Sequence, residues 1–425
     1  MSDKRTSPFR YGVGMFGTSL AINMFRGFAA AFYVIKLGLP LDRLAQITAI
    51  YTFLDAIDNP IYGYLSDNTR TKIGRRKPWL IVGTPLFVIF FILFFSPPAS
   101  LNVNQLFIWA LIIYSVTGTL DSLINANYGA LFPELFPEDK IRAKTNSIRQ
   151  VFQLVAMVIG LAMTPMITSK IGYRNTAIIY GILSLIVIMF MTLGVKEKEI
   201  KDIGEKVQIV PALLAMAKSR NFWIAGIANA LYSAAMALVM VSVPFFIKYT
   251  LKIDESQGTY LLGTVILLAI IGVVFWSAMV RKFGVMSIWK IAFIALAVAF
   301  VPLFYANSLI FAIICSSFVG IGFSGVISTM DIIGAKVMDE DFVKYGIKRQ
   351  GIYSSAMGFM NRLSGLFTAL ALWLTSMIYS FKSGDEPGNR PDEAARFLLT
   401  VFPFVLMILG IIATNFVKFT YTEED

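Results

Sequence analysis

Apolar runs of about 20 residues, each long enough to cross a bilayer as a helix, recur along the whole 425-residue chain. A chain built this way has to satisfy its backbone polar groups internally, which points to an all-α membrane protein. Composition agrees: 57% of residues are hydrophobic and 15% charged, against roughly a quarter charged in soluble domains. Mean hydropathy is +0.70. Between charged or Pro/Gly breaks, the apolar windows predict spans near 11–36, 43–65, 78–97, 105–132, 146–168 and 175–194. Six more follow near 221–248, 258–280, 285–306, 309–335, 351–381 and 395–418. The expected organisation is a first six-helix bundle over 1–196, a charged linker over 197–219 and a second bundle over 220–425.

Lys and Arg concentrate in segments that fall on one side of this arrangement, whereas the loops "SPPASLNVN" and "YANSL" carry no charge. The positive-inside rule then puts both termini in the cytoplasm, in a multi-pass protein of the cell membrane. The net charge of +11 follows from that asymmetry and gives no reason to invoke nucleic acid. The N-terminus "MSDKRTSPFRYG" lacks the short apolar core and cleavage site of a signal peptide. One cysteine, Cys315, excludes a disulfide framework, and no Cys/His cluster offers a metal site. With no histidine, proton or cation chemistry has to run on carboxylates. A membrane enzyme would need a nucleophile–base pair or a metal, and neither pattern is present.

Charges inside the spans are the sharpest signal. Arg26, Asp55, Asp58, Asp121, Arg149, Asp331 and Arg362 all fall in or near apolar segments. Facing lipid, they would together cost on the order of 20 kcal/mol, so they are expected to face one another or a water-filled cavity. Helical spacing groups them. Tyr51, Asp55, Asp58, Asn59 and Tyr62 share one face of the second span. Asp121, Ser122, Asn125 and Tyr128 form a stripe on the fourth, and Ser19, Asn23 and Arg26 one on the first. Asp331 belongs to the tenth span, and Arg362 with Asn361 to the eleventh. Arg149, near the start of the fifth span, has the alternative of snorkelling to the membrane surface. The oxygen-rich second span suits a hard monovalent cation, or one carboxyl taking up a proton. The two halves also echo each other weakly around the ends of the second and eighth spans, as in transporters whose halves rock around a central site.

Four stretches carry a family resemblance: "YGVGMFG" at 11–17, "DAIDNPIYGYLSDNTRTKIGRRKPW" at 55–79, "YGALFPELFPEDKIRAKTNSIRQ" at 128–150 and "DEDFVKYGIKRQGIYSS" at 339–355. On these the chain resembles the melibiose-permease-like glycoside–pentoside–hexuronide:cation symporters of the major facilitator superfamily. The resemblance implies twelve transmembrane helices in two pseudo-symmetric six-helix bundles. It also implies alternating access, a Na⁺, Li⁺ or H⁺ gradient as driving force, no cofactor, and a monomer in the bilayer. Asp55 falls on a family cation-site carboxylate. The second family carboxylate falls at Asn59, and Asp58 stands where the family has Asn, which moves the charge about 100° around the helix. The family's helix 4 position near that site falls at Ser122, and Asp121 beside it on the polar stripe completes the expected cation site.

The pocket departs further. Two acids that accept sugar hydroxyls in the family fall at Ser19 and Asn125, while its basic residues fall at Arg149 and at Arg362, in place of a lysine. Arg26 is an added charge. Together with Asn23, Tyr128 and Asp331 these are the expected substrate residues. An Arg-rich pocket suits a carboxylate, sulfonate or phosphate, so an anionic sugar derivative such as a hexuronide is the expected substrate. The alternatives are a neutral glycoside or pentoside, a lysophospholipid, or, in another class, a non-transporting membrane sensor. The loop "GYLSDNTRTKIGRRKP" resembles the superfamily's conformational latch, with Gly63, Asp67, Arg70, Gly74, Arg75 and Arg76 as its parts.

Overall fold

The computed structural model describes residues 6–136, 139–197, 218–345 and 358–419, and every regular element among them is a helix. The first part of the chain holds α1 (Pro8–Gly12), α2 (Gly14–Ala30), α3 (Leu41–Asn68), α4 (Lys77–Phe94), α5 (Val103–Leu135), α6 (Asp139–Met157) and α7 (Thr164–Gly194). The second holds α8 (Arg220–Phe245), α9 (Gly258–Phe283), α10 (Val285–Phe304), α11 (Leu309–Tyr345), α12 (Ser364–Tyr379), α13 (Pro391–Arg396) and α14 (Phe402–Phe416). The turns Ala31–Lys36, Val158–Ala162, Phe246–Leu251 and Phe397–Val401 are π-helical and extend α2, α6, α8 and α13.

Local sequence explains several boundaries. After the "SPP" break, Asn102 caps α5: its side chain accepts from the Gln105 amide at 3.0 Å while the Gln105 side chain accepts from the Asn102 amide at 3.0 Å. This reciprocal capping box satisfies two amides that the helix cannot. Gly172 sits at φ 79° inside α7, so the run is two helical pieces meeting at a glycine, the backbone state that only glycine adopts without cost. The fifth span therefore starts earlier than its apolar window, at Asp139, and the helical chain runs past 168 to this break. The tenth span likewise continues as α11 to Tyr345, because the polar "KVMDEDFVKY" remains helical beyond the apolar window.

Among the described residues ten helical stretches are long and apolar enough to cross a membrane. The 28-residue α3 and the charged α6 are not among them. α3 is long enough, but it carries the polar stripe of Asp55, Asp58 and Asn59. The outer helix faces are strongly apolar, with Ile310 74% and Val274 73% exposed. Apolar exposure on this scale fits lipid as the surrounding solvent.

The chain divides into two compact units. Unit 1 comprises Met1–Gly204 with the short segments Glu255–Thr259 and Lys382–Glu386; unit 2 comprises Glu205–Asp254, Tyr260–Phe381 and Pro387–Asp425. In unit 1, α2 packs on α6 and α7, α4 on α5 and α7, and α3 on α5. In unit 2, α10 packs on α11 and α14, and α8 on α12 and α14. Small residues set the approach distances, as expected where lipid offers no hydrophobic drive between helices. A Cβ at Gly160 would lie 2.7 Å from the Leu20 carbonyl, and one at Gly17 would lie 2.7 Å from Ile188 Cγ1. In unit 2, a Cβ at Gly322 would lie 2.7 Å from the Leu296 Cα.

Gly160→Val is expected to cost roughly 1–3 kcal/mol by overpacking. In detergent its apparent melting temperature should fall well below that of Gly129→Val, since nothing within 4 Å would meet a Cβ at Gly129.

Candidate functional site

Three polar clusters of unit 1 contain most of the expected site residues. The first joins α3 to α5. Asp55 accepts hydrogen bonds from the Ser122 hydroxyl at 2.9 Å and the Tyr51 hydroxyl at 3.1 Å. Tyr51 lies directly over Gly118, where any Cβ would collide with its ring, so the glycine on α5 makes room for the hydroxyl that reaches Asp55. Asp58 is buried one turn further along α3. Asn59, Gly63 and Asp67 lie on the same helix, but the placement of their side chains falls outside the described residues.

The second cluster joins α2 to α5. Arg26 Nη2 donates to Asp121 Oδ2 at 2.9 Å, and Asn125 donates to Asp121 Oδ1 at 2.7 Å. The pair is asymmetric: the Arg26 side chain is 60% exposed and that of Asp121 6%. Asp121 and Ser122 are neighbours on α5, so this ion pair and the Asp55 cluster share one wall of the unit. Asp55 and Asp121 thus each meet hydrogen-bond donors, which lowers the cost of holding them away from water.

The third cluster surrounds Arg149 on α6. Tyr11 and Tyr128 stack with centroids 4.7 Å apart and bond reciprocally to each other's backbone, Tyr11 Oη to the Tyr128 carbonyl at 2.6 Å and Tyr128 Oη to the Tyr11 carbonyl at 3.2 Å. The Arg149 guanidinium lies 4.7 Å from the Phe132 ring centre and 5.2 Å from that of Tyr128, with Met15 Sδ 3.9 Å from Nη2. Aromatic faces attract the cation through their quadrupoles. Arg149 is half-buried in this aromatic setting.

Four further candidates lie on α2, on α11 and just before α12. Ser19 is buried in α2, and Asn23 rests against Gly160 in the π turn after α6. Arg362 belongs to unit 2, half-buried near the start of α12. Asp331 is on α11 in the same unit, and its side chain falls outside the described residues.

The loop between α3 and α4 is built around two acids that sequence reasoning did not single out. Glu197 accepts from the backbone amides of Arg75 at 2.8 Å, Arg76 at 3.0 Å and Lys77 at 3.2 Å. These are unsatisfied amides at the α4 N-terminus, where the helix dipole favours an anion. Glu134 at the end of α5 pairs with Arg75 at 2.6 Å and Arg76 at 3.5 Å, and Arg76 also reaches Ser66. Gly74 sits at φ 112° with Glu197 pressed against it, so neither the backbone nor the space admits a side chain. Arg70 is exposed on the same loop. Glu197 stands among lysines in the sequence, while Glu134 lies in the apolar "ALFPELFP" and gives no such signal.

Polar clusters inside unit 1, set among helices long and apolar enough to cross a membrane, are what a polytopic membrane transporter requires. Comparison makes the class specific: residues 10–421 match the profile of the family described as MFS/sugar transport protein, and the chain belongs to that family. It is 23% identical over 386 residues to the isoprimeverose transporter of Lactiplantibacillus pentosus, covering 86% of this chain and 79% of that one. It is 24% identical over 427 residues to a putative sulfoquinovose importer of Salmonella typhimurium, covering 96% and 88%. The fold matches the crystal structure of the nucleoside transporter NupG with a TM-score of 0.72 at 12% identity, over 97% of this chain and 99% of that chain. The chain is thus a multi-pass transporter of the major facilitator superfamily, not an enzyme.

Glu197→Ala should lower the apparent melting temperature by about 1–2 °C through loss of roughly 1 kcal/mol of helix capping. Lys196→Ala, at the exposed neighbouring side chain, serves as the control in the same thermal melt.

Proposed function

We propose that this chain is a cation-coupled symporter that carries an anionic sugar derivative, of the hexuronide or sulfosugar class, by alternating access. The observation that supports the anionic choice is Arg26, a mid-span guanidinium with its outer side exposed and one edge held by Asp121. Guanidinium groups match carboxylate and sulfonate oxygens in bidentate geometry. The relative described as a sulfoquinovose importer lends the reading weight. The relative described as an isoprimeverose transporter favours a neutral glycoside as the second reading.

In this proposal Asp55, with Ser122 and the Tyr51 hydroxyl, is the centre of the coupling-cation site, and Asp58 and Asn59 complete it. The ion is Na⁺ or H⁺, each of which a carboxylate and hydroxyl set accommodates. Arg26, Asn125, Tyr128 and Arg149 supply the substrate surface of unit 1, and Arg362 and Asp331 that of unit 2. The α3–α4 loop, from Gly63 and Asp67 to Arg76, acts as the conformational latch. The protein works as a monomer in the cell membrane.

Proteoliposomes loaded against a Na⁺ or a proton gradient test this with radiolabelled β-D-glucuronide and β-D-xyloside. Gradient-driven accumulation of the glucuronide is expected, falling about tenfold or more in Asp55→Asn, a loss of at least ~1.4 kcal/mol of coupling. Accumulation of the xyloside alone would establish the neutral reading instead.

A further inference from the structure

We propose that Tyr11, Met15 and Phe132, with Tyr128, form an aromatic and thioether cage that holds the Arg149 guanidinium without neutralising it, and so leaves its charge for the oxyanion of the substrate. The cage would set the preference for anionic over neutral cargo. The inference rests on the anionic substrate class proposed above and adds the residues that enforce it.

The cage begins in the run "YGVGMFG" at 11–17. Tyr11 and Tyr128 are 0% and 1% exposed, and their rings stack 4.7 Å apart at 11°. Each hydroxyl donates to the other residue's backbone carbonyl, so both rings are tied in place. The Phe132 ring continues the stack, 5.8 Å from that of Tyr11 at 13°. Glycines let these parts close on one another. A Cβ at Gly12 would lie 2.6 Å from Cγ2 of Ile148, the residue before Arg149, and one at Gly14 would lie 2.9 Å from Tyr128 Cε2.

Arg149 lies against this stack. The central carbon of its guanidinium is 4.7 Å from the Phe132 ring centre, 5.2 Å from that of Tyr128 and 5.8 Å from that of Tyr11. Met15 Sδ is 3.9 Å from Nη2, and a thioether is only a weak acceptor. Ring faces attract a cation through their quadrupoles, yet they carry no net charge. Among the described residues no carboxylate pairs with Arg149, and its Nε is buried without an acceptor.

Arg26 supplies the contrast. There an incoming anion competes with Asp121, 2.9 Å away. At Arg149 the described surroundings stabilise the positive charge without cancelling it, so an oxyanion meets no such rival. Arg149 is half-buried, which keeps part of it within reach of a solute while limiting the water that would screen the attraction. A neutral glycoside draws little from this charge. Tyr11, Met15 and Phe132 are thereby positioning residues, acting on the substrate through Arg149.

Met15 offers a near-isosteric test, because glutamine and glutamate match its length and only glutamate brings a negative charge to Arg149. Full-length wild type, M15Q and M15E in detergent are compared by equilibrium binding of para-nitrophenyl β-D-glucuronide and its neutral counterpart, para-nitrophenyl β-D-glucoside, in Na⁺ buffer. M15E is expected to bind the glucuronide about tenfold more weakly than M15Q, a loss of ~1.4 kcal/mol. The two variants should bind the glucoside alike. Equal glucuronide affinity in folded M15E and M15Q would overturn the cage's role in selection and leave Arg149 as a packing strut.

F132Q and F132E repeat the comparison at the nearest ring if M15E does not fold, with the same gap expected and the same equality overturning the proposal. A wild type that binds the glucoside but no glucuronide would overturn the anionic substrate class and the cage's role with it. A wild type that binds the glucuronide, with no difference between the Gln and Glu variants, would overturn the cage alone.

Discussion

A cation in the middle of a membrane-spanning helix has to be neutralised where it stands, and the pairing of Arg26 with Asp121 meets that demand. Much else in unit 1 is arranged around it. α2 and α5 supply the two partners, Asn125 holds the second carboxylate oxygen, and Ser122 on the next position of α5 turns to Asp55 on α3. Three helices are thereby tied through one polar wall. In lipid such ties select helix pairings, because an unmatched polar group has no water to fall back on.

The α3–α4 loop solves a related problem at the edge of the unit. A helix N-terminus with several positive side chains beside it concentrates positive charge, and the chain supplies Glu197 and Glu134 to meet it. Glu197 addresses the backbone and Glu134 the side chains. The division is geometric: Gly74, at φ 112°, gives the Glu197 carboxylate room to approach the amides of residues 75–77. Arg149 is handled differently again: among the described residues its guanidinium is held by the faces of Tyr128 and Phe132.

Much of the architecture is legible in the sequence because bilayer thickness converts directly into a length of apolar run. The stripes are legible because helical periodicity puts residues three and four apart on one face. What the periodicity lacks is the identity of the partner across the gap. Helical spacing does not say which acid meets Arg26, and only the packing of the helices brings Asp121 to it. Glu197 is harder still, since it sits in a polar segment where a charge needs no explanation, and Glu134 stands at a span end where a charge is unremarkable. Gly118 is silent in the sequence, and its role appears only when the Tyr51 ring is seen lying over it. Boundaries shifted where a polar sequence stays helical, at the start of α6 and the end of α11, because hydropathy reports the solvent and not the backbone.

The contact between Glu197 and the amide of Arg75 also has a consequence in time. The two residues are 122 positions apart. At about 5–20 residues per second, a ribosome adds the later one roughly 6–24 s after the earlier. For that interval the α4 N-terminus has its dense positive charge but not the carboxylate that caps it. The basic loop then exists in a form with bare amides and can meet anionic headgroups at the membrane surface before it meets its own chain. Glu197 follows the last helix of the first half, so the loop acquires its final partner just as that half is completed.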